Sequence, residues 1–322
     1  MNKIERVRAV LRGETPDRVP AGFWFHYPST LTAQETAQEH LKLFFETDMD
    51  ILKIMQDFTY PITGTITRAA DWRKIRFDGT DSPVFEKAKA IIGTILDKMG
   101  GQALTLQTMF GPFKAAAFAF GDDVLMYWAK EAPDDVAEGI HIIAEQMVQW
   151  LQGYLDLGVD GLYYTAQYAE PGRFTQEEWE KLVKPFDERV LSVCPGNEGK
   201  INFLHVCGEP EYGFRVDLRR LAGLKGDIVN WSVKDNGLTL SDGRAFFGGR
   251  PILGGMNNKG HLVNGTEEEI REEAQACIRA AGTAGFMLGA DCTIQPPGGQ
   301  PVDLQRIRAA VSAAHDFPIK NA

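Results

Sequence analysis

Short, nearly continuous apolar runs alternate with longer amphipathic segments along the whole chain. Eight such runs lie at residues 18–26, 50–57, 103–111, 158–167, 200–208, 227–235, 251–260 and 285–295. Runs of this kind are typical of strands that are covered on both faces, as in a parallel sheet. The pattern therefore predicts eight buried strands, with helices between many of them.

Helix signals between the runs support this alternation. Thr175 and Thr266 each stand three residues before a glutamate, which is the sequence of a capping box at the start of a helix. These boxes predict one helix that runs through Leu182 and another that ends near Ala281. A third helical pattern covers residues 133–157. Strands and helices that alternate in this way indicate βαβ units.

Eight such units predict a (β/α)8 barrel, an α/β fold that would form a single domain over residues 1–322. The alternative is a doubly wound open sheet. That fold would need a glycine-rich phosphate-binding turn early in the chain, and the sequence has none there. Because the carboxyl ends of barrel strands carry the chemistry, polar residues at the ends of the eight runs are the candidates for a site.

Composition and charge narrow the class of protein. The chain has 322 residues, of which 44% are hydrophobic and 24% charged, as in ordinary globular proteins. Its net charge of −10, without a basic stripe, argues against binding to nucleic acid or to an anionic membrane surface. No secretory signal and no membrane-spanning run is apparent. Four cysteines without a C-x-x-C pair indicate a reducing, cytoplasmic environment.

His205, Cys207 and Cys292 form the most distinctive set of polar residues at the predicted strand ends. His205 and Cys207 are two residues apart on one strand, so their side chains point the same way, and Cys292 ends the last strand. One imidazole and two thiolates suit zinc, and three protein ligands are typical of a catalytic site. By spacing alone, two other interpretations stay open: a core histidine beside buried cysteines, or a Cys207 nucleophile with His205 as its base.

Four segments of the chain resemble the uroporphyrinogen decarboxylase superfamily: IERVRAVLRGETPDRVP, FTQEEWEKLVKPF, FLHVCG and GFMLGADCTIQPP. Within it, the H-x-C…C pattern resembles the zinc methyltransferases that work with corrinoid proteins, in coenzyme M methylation and anaerobic O-demethylation. The resemblance covers nearly the whole chain and implies a (β/α)8 barrel. It also implies that His205, Cys207 and Cys292 hold zinc, and that a separate partner protein carries the corrinoid (cobalamin).

The chain departs from the true decarboxylases of this superfamily. After the first strand they carry an arginine in an R-Q-A-G-R motif, whereas this chain reads GFWFHYPST. A substrate with eight carboxylates needs such cations. We therefore predict a zinc-dependent methyltransferase that moves a methyl group between a corrinoid protein and a small thiol or methoxylated substrate. The alternatives are decarboxylation of a tetrapyrrole and non-catalytic binding of a tetrapyrrole or corrinoid.

Five further residues are candidates for the pocket because they end predicted strands: Asp57 and Tyr164 as catalytic groups, and His26, Gln167 and Asn257 as substrate-binding groups. Asp57 also corresponds loosely to the catalytic aspartate of the decarboxylases. Several have structural alternatives. Asp57 suits a helix cap, Asn257 and Asn258 suit a turn, and one of the adjacent Tyr163 and Tyr164 would pack in the barrel wall.

Overall fold

A computed structural model describes residues 1–194, 196, 199–208 and 215–319. Its strands are β1 (Ala21–Gly22), β2 (Ile51–Ile54), β3 (Ile62–Thr63), β4 (Arg76–Phe77), β5 (Leu104–Phe110), β6 (Gly161–Ala166), β7 (Ile201–Val206), β8 (Ile228–Trp231), β9 (Ile252–Met256) and β10 (Phe286–Ala290). Eight of them form one parallel sheet in the order β1-β10-β9-β8-β7-β6-β5-β2. Each predicted apolar run contains one of these eight strands, which confirms the (β/α)8 barrel. The antiparallel pair β3–β4 was not predicted.

Helices connect the strands and cover the sheet. They are α1 (Lys3–Leu11), α2 (Ala33–Thr47), α3 (Pro83–Met99), α4 (Pro112–Phe120), α5 (Asp122–Glu131), α6 (Pro133–Leu157), α7 (Gln176–Leu182), α8 (Lys184–Leu191), α9 (Leu218–Leu221), α10 (Val233–Asn236), α11 (Leu240–Phe246), α12 (His261–Asn264), α13 (Glu267–Ala281) and α14 (Leu304–His315). Both predicted capping boxes form, at Thr175 and Thr266. Within the described part of the chain, no helix has the length and apolar character to cross a membrane.

The strands bury side chains on both of their faces, as the apolar runs predict. One apolar cluster includes Trp24, Tyr163, Phe203, Leu253 and Met287, which come from five different strands or strand ends. A second, larger cluster joins residues of the strands to residues of the helices. Because successive side chains of a strand point to opposite faces, a shift of one residue moves a side chain from one cluster to the other.

Asp50 closes the barrel between β1 and β2. Its backbone N–H donates to the Ala21 carbonyl at 2.8 Å, and its carboxylate accepts the Ala21 N–H at 2.9 Å. The same carboxylate bonds the guanidinium of Arg6 at 2.7 Å and the ring of His315 at 2.8 Å. Asp50 therefore ties α1 and α14 to the seam of the sheet.

We expect Asp50→Ala to lower the free energy of unfolding by about 3–5 kcal/mol, because it leaves the buried guanidinium of Arg6 without its inner partner. Urea unfolding at neutral pH measures the change. Asp48→Asn is the matched control: Asp48 bonds Lys3 but its side chain is 62% exposed, so we expect a loss below about 1 kcal/mol. Equal unfolding midpoints for the two variants would show that Asp50 does not support the seam.

Candidate metal centre

The end of β7 and the segment after β10 bring His205, Cys207 and Cys292 together. One ligand atom of each residue lies within 4.8 Å of the other two, and the His205 Nε2 to Cys292 Sγ distance is 3.4 Å. Ligand atoms around a tetrahedral zinc ion lie about 3.6–3.8 Å apart, given Zn–S near 2.3 Å and Zn–N near 2.1 Å. The donor atoms thus match zinc in type and number, and they lie close enough together to share one ion. Among the described residues, no other set of three histidines, cysteines or acids meets this spacing.

Asn230, opposite His205 on β8, fixes the orientation of the imidazole. Its side-chain amide donates to the carbonyls of Leu253, at 2.8 Å, and Ala290, at 3.1 Å. The amide oxygen of Asn230 therefore faces Nδ1 of His205 and accepts its proton. This leaves the Nε2 lone pair of His205 directed toward the sulfur atoms, as a metal ligand requires. A Cβ atom at Gly254 would come within 2.8 Å of the Asn230 amide, so glycine keeps this space open.

We expect Asn230→Leu to weaken zinc binding by about 10–100-fold, because the ring of His205 loses the acceptor that sets its tautomer. Competition with a chromophoric chelator measures the affinity. Asn202→Leu is the control, since Asn202 is equally buried on β7 but bonds the Lys225 carbonyl, away from the centre. Zinc affinity that is unchanged in the Asn230 variant, or equally reduced in both, would contradict this role.

The two thiol groups have surroundings that suit metal ligands. The Gln167 amide donates to the Cys207 sulfur at 3.7 Å. Hydrogen bonding with Cys207 lowers the pKa of the Cys292 thiol well below its usual range; burial opposes this shift and His205 adds to it. By contrast, burial raises the pKa of Cys194 to about 11 and that of Cys277 to about 12. The thiolate form is therefore favoured at Cys292 and disfavoured at Cys194 and Cys277.

The centre opens into a cavity of about 850 Å³, which His205, Cys207 and Cys292 line together with Gln167. This volume suits a small-molecule substrate or part of a cofactor. Because His205, Cys207 and Cys292 belong to the wall, a molecule bound in the cavity would lie against a metal ion that they held. The predicted substrate-binding residue Gln167 thus lies at the cavity, beside Cys207.

His26 and Asp57 form a second polar group on the cavity wall. Nδ1 of His26 lies 2.5 Å from Asp57 Oδ1, and the Tyr27 N–H donates to Asp57 Oδ2 at 3.0 Å. The carboxylate of Asp57 therefore orients the ring, and Nε2 of His26 is the nitrogen that a bound molecule can reach. The structure brings these two predicted site residues together.

Two of the predicted site residues lie outside the cavity wall. Tyr164 is fully buried on the helix side of β6, where its hydroxyl donates to Asp187 of α8 at 2.6 Å; Tyr163 faces the barrel interior instead. The Asn257 side chain accepts the Lys259 N–H at 3.0 Å and so forms a turn, while Asn258 lines the cavity. Neither Tyr164 nor Asn257 lies at the cavity wall. The alternation of faces along a strand, and the tight turn after β9, explain both differences.

Lys53 of β2 was missed in the sequence, although it lines the cavity. Its ammonium group lies 3.9 Å from the ring centre of Tyr163 and 4.3 Å from that of Trp24. Burial lowers the pKa of Lys53 to about 7, although the charges of Cys292, Cys207 and Asp57 act to raise it. The available signal was a lysine in the middle of an otherwise apolar run, ILKIM.

The sequence was compared with models of known protein families. The sequence model described as Uroporphyrinogen decarboxylase (URO-D) matches residues 52–317. The chain belongs to the uroporphyrinogen decarboxylase family. The match confirms, at the level of the family, the resemblance seen in the sequence. A search of curated proteins found no match to this chain.

Solved structures show the same fold for this uroporphyrinogen decarboxylase family member. It is similar to a methyltransferase from Methanosarcina mazei, with 16% identity, a TM-score of 0.78, and coverage of 98% of this chain and 99% of that one. It is also similar to a B12-independent methionine synthase from Shewanella sp. W3-18-1, with 13% identity, a TM-score of 0.58, and coverage of 93% and 95%. At these identities the similarity shows a shared barrel architecture.

Proposed function

We propose that this family member is a zinc-dependent methyltransferase that moves a methyl group between a corrinoid on a partner protein and a small thiol or methoxylated substrate. The observation that carries the proposal is the convergence of His205 Nε2 with the sulfur atoms of Cys207 and Cys292 on the wall of a substrate-sized cavity. The similarity of the whole chain to the methyltransferase structure from Methanosarcina mazei supports it.

The centre would bind the substrate atom that gains or loses the methyl group. A zinc ion held there would supply a Lewis acid that favours a thiolate sulfur, or polarises a methoxyl oxygen, at neutral pH. Asn230 holds His205 in the tautomer that presents Nε2, and the Gln167 amide hydrogen-bonds the Cys207 sulfur. The same two residues would keep His205 and Cys207 in position to hold the metal ion.

We propose that His26 and Asp57 carry out the proton transfer that the reaction needs. A thiol that accepts a methyl group must lose a proton, and a methoxylated compound that gives one up must gain a proton on oxygen. Nε2 of His26 can hold that proton, while Asp57 orients the ring through Nδ1. In this scheme Asp57 acts through His26, whereas the sequence suggested a direct catalytic role.

Decarboxylation of a tetrapyrrole is the alternative that the ligand set does not support. A decarboxylation that needs no cofactor would not require the His205–Cys207–Cys292 set. In the sequence, the first strand end, where decarboxylases carry an arginine, instead carries Trp24, Phe25 and Tyr27. We therefore keep methyl transfer as the function, with the corrinoid partner and the cytoplasmic location as parts of the proposal.

The direct test is methyl transfer with free cobalamins as probes. Zinc-loaded protein is mixed with methylcobalamin and 2-mercaptoethanol, or with cob(I)alamin and a methoxylated aromatic compound, and the cobalamin absorption spectrum is followed. We expect zinc-dependent conversion in one of the two directions. Decarboxylation of uroporphyrinogen by metal-free protein, without any cobalamin conversion, would overturn the proposal in favour of the alternative.

A further inference from the structure

The cavity wall beside the proposed metal centre holds a buried cation, Lys53. Its side chain is 4% exposed, and its ammonium group lies against the faces of Trp24 and Tyr163. Among the described residues, none places a carboxylate or another hydrogen-bond acceptor within bonding distance of Nζ, which contacts these two rings instead. The neighbouring residues of β2 are apolar.

A lysine in this setting needs a negative charge nearby. Removal of an ammonium group from water is unfavourable, and two aromatic faces offset only part of that loss. The three carboxylates that the described residues place on the same wall have other partners. Asp57 bonds His26, Asp291 accepts the Lys234 N–H, and Asp235 accepts the Ser232 hydroxyl. The anions that remain to balance Lys53 are the Cys207 and Cys292 thiolates and any anionic molecule bound beside them.

The charges of a loaded centre indicate what that molecule is. A zinc dication, two thiolates and a neutral imidazole sum to zero, so an anionic fourth ligand would give the loaded centre a net negative charge. Four other cationic side chains from the described part of the chain line the cavity, but none of them is buried: Lys114, Arg215, Lys234 and Lys259. A protonated Lys53 would offset the negative charge, whereas beside a neutral fourth ligand its own charge would have no counterpart at the centre. The attraction between an ammonium group and an anion is strong at low dielectric constant.

We infer that Lys53 is a positioning residue that makes the centre select an anionic sulfur ligand, the thiolate of a thiol substrate, over a neutral ligand. The inference rests on the proposed function and deepens it, because it favours a thiol over a methoxylated compound as the small substrate. Lys53 acts through charge across the cavity, while the ligands themselves hold the metal.

The test compares Lys53→Met and Lys53→Arg with wild-type protein and with the surface control Lys89→Met, each loaded with cobalt(II) so that ligand exchange changes the absorption spectrum. Lys89 pairs with Glu86 on the solvent-facing side of α3 and lies outside the cavity. We expect Lys53→Met to weaken binding of 2-mercaptoethanol by about tenfold or more, while binding of neutral imidazole changes less than about twofold. Arginine should retain most of the thiol affinity, and Lys89→Met all of it.

Three results would overturn the inference while leaving the proposed function standing: thiol affinity unchanged in Lys53→Met, thiol and imidazole affinity reduced equally, or a loss seen with 3-mercaptopropionate but not with 2-mercaptoethanol. The last would mean that Lys53 recognises a remote acid group. Wild-type protein that binds no cobalt would overturn both proposals. Methionine matches lysine in size and removes a buried charge, so we expect Lys53→Met to fold and to melt no lower than wild type.

Discussion

Replacement of Cys207 or Cys292 by serine is expected to remove zinc from the protein and to lower the rate of methyl transfer by at least about 10³-fold. A serine hydroxyl is neutral at neutral pH and a poor ligand for zinc, so each variant keeps only two of the three donors. Loss of the Lewis acid from the centre removes several kcal/mol of stabilisation, and each 1.4 kcal/mol is about tenfold in rate.

Cys194 and Cys277 provide matched controls for these variants. Both are buried and lie outside the cavity. Cys194 follows the end of α8, and Cys277 lies on α13. We expect Cys194→Ser and Cys277→Ala to keep one zinc per chain and most of the activity. Zinc that is lost from the Cys207 variant but retained by the Cys292 variant would show that the two thiols do not share one metal ion.

Replacement of His26 by phenylalanine is expected to lower the rate of methyl transfer by about 10²–10⁴-fold and to leave the zinc content unchanged. The variant lacks the ring nitrogen Nε2 that accepts or donates the proton. Asp57→Asn should act in the same direction but less strongly, since the ring loses its ionised partner and keeps both nitrogens. The double variant should be no slower than the His26 variant, because the pair works as a unit.

Stopped-flow absorption of the cobalamin measures these rates. His261→Phe is the control: His261 is about half exposed, lies outside the cavity and pairs with Glu273 of α13. A His26 variant with the wild-type rate would exclude the proposed proton transfer. A His26 variant that loses zinc would instead make this residue part of the metal site.

The strand pattern of this barrel could be predicted because each strand of the sheet is buried on both faces and therefore reads as an apolar run. The proximity of His205 and Cys207 could be predicted because residues two apart on a strand share a face. The pair β3–β4 could not be predicted in this way, since strands of two residues are too short to show a periodicity.

Three features of the site depend on information that one sequence does not contain. Tyr163 and Tyr164 are adjacent and chemically alike, so the register of β6 alone decides which of them faces the interior. Asn230 acts on His205 across two paired strands. Lys53 stands in an apolar run, where periodicity gives it no special position. The single-domain organisation, zinc, the corrinoid partner and the cytoplasmic location remain predictions.

The most direct test of a three-residue metal centre with an exchangeable fourth position is zinc K-edge X-ray absorption of the purified, reduced protein, with and without 2-mercaptoethanol. We predict one zinc per chain, with two sulfur ligands at about 2.3 Å and nitrogen or oxygen in the remaining positions. After 2-mercaptoethanol is added, we predict a third sulfur ligand. A protein without zinc, or a zinc ion whose sulfur count stays the same when the thiol is present, would contradict it.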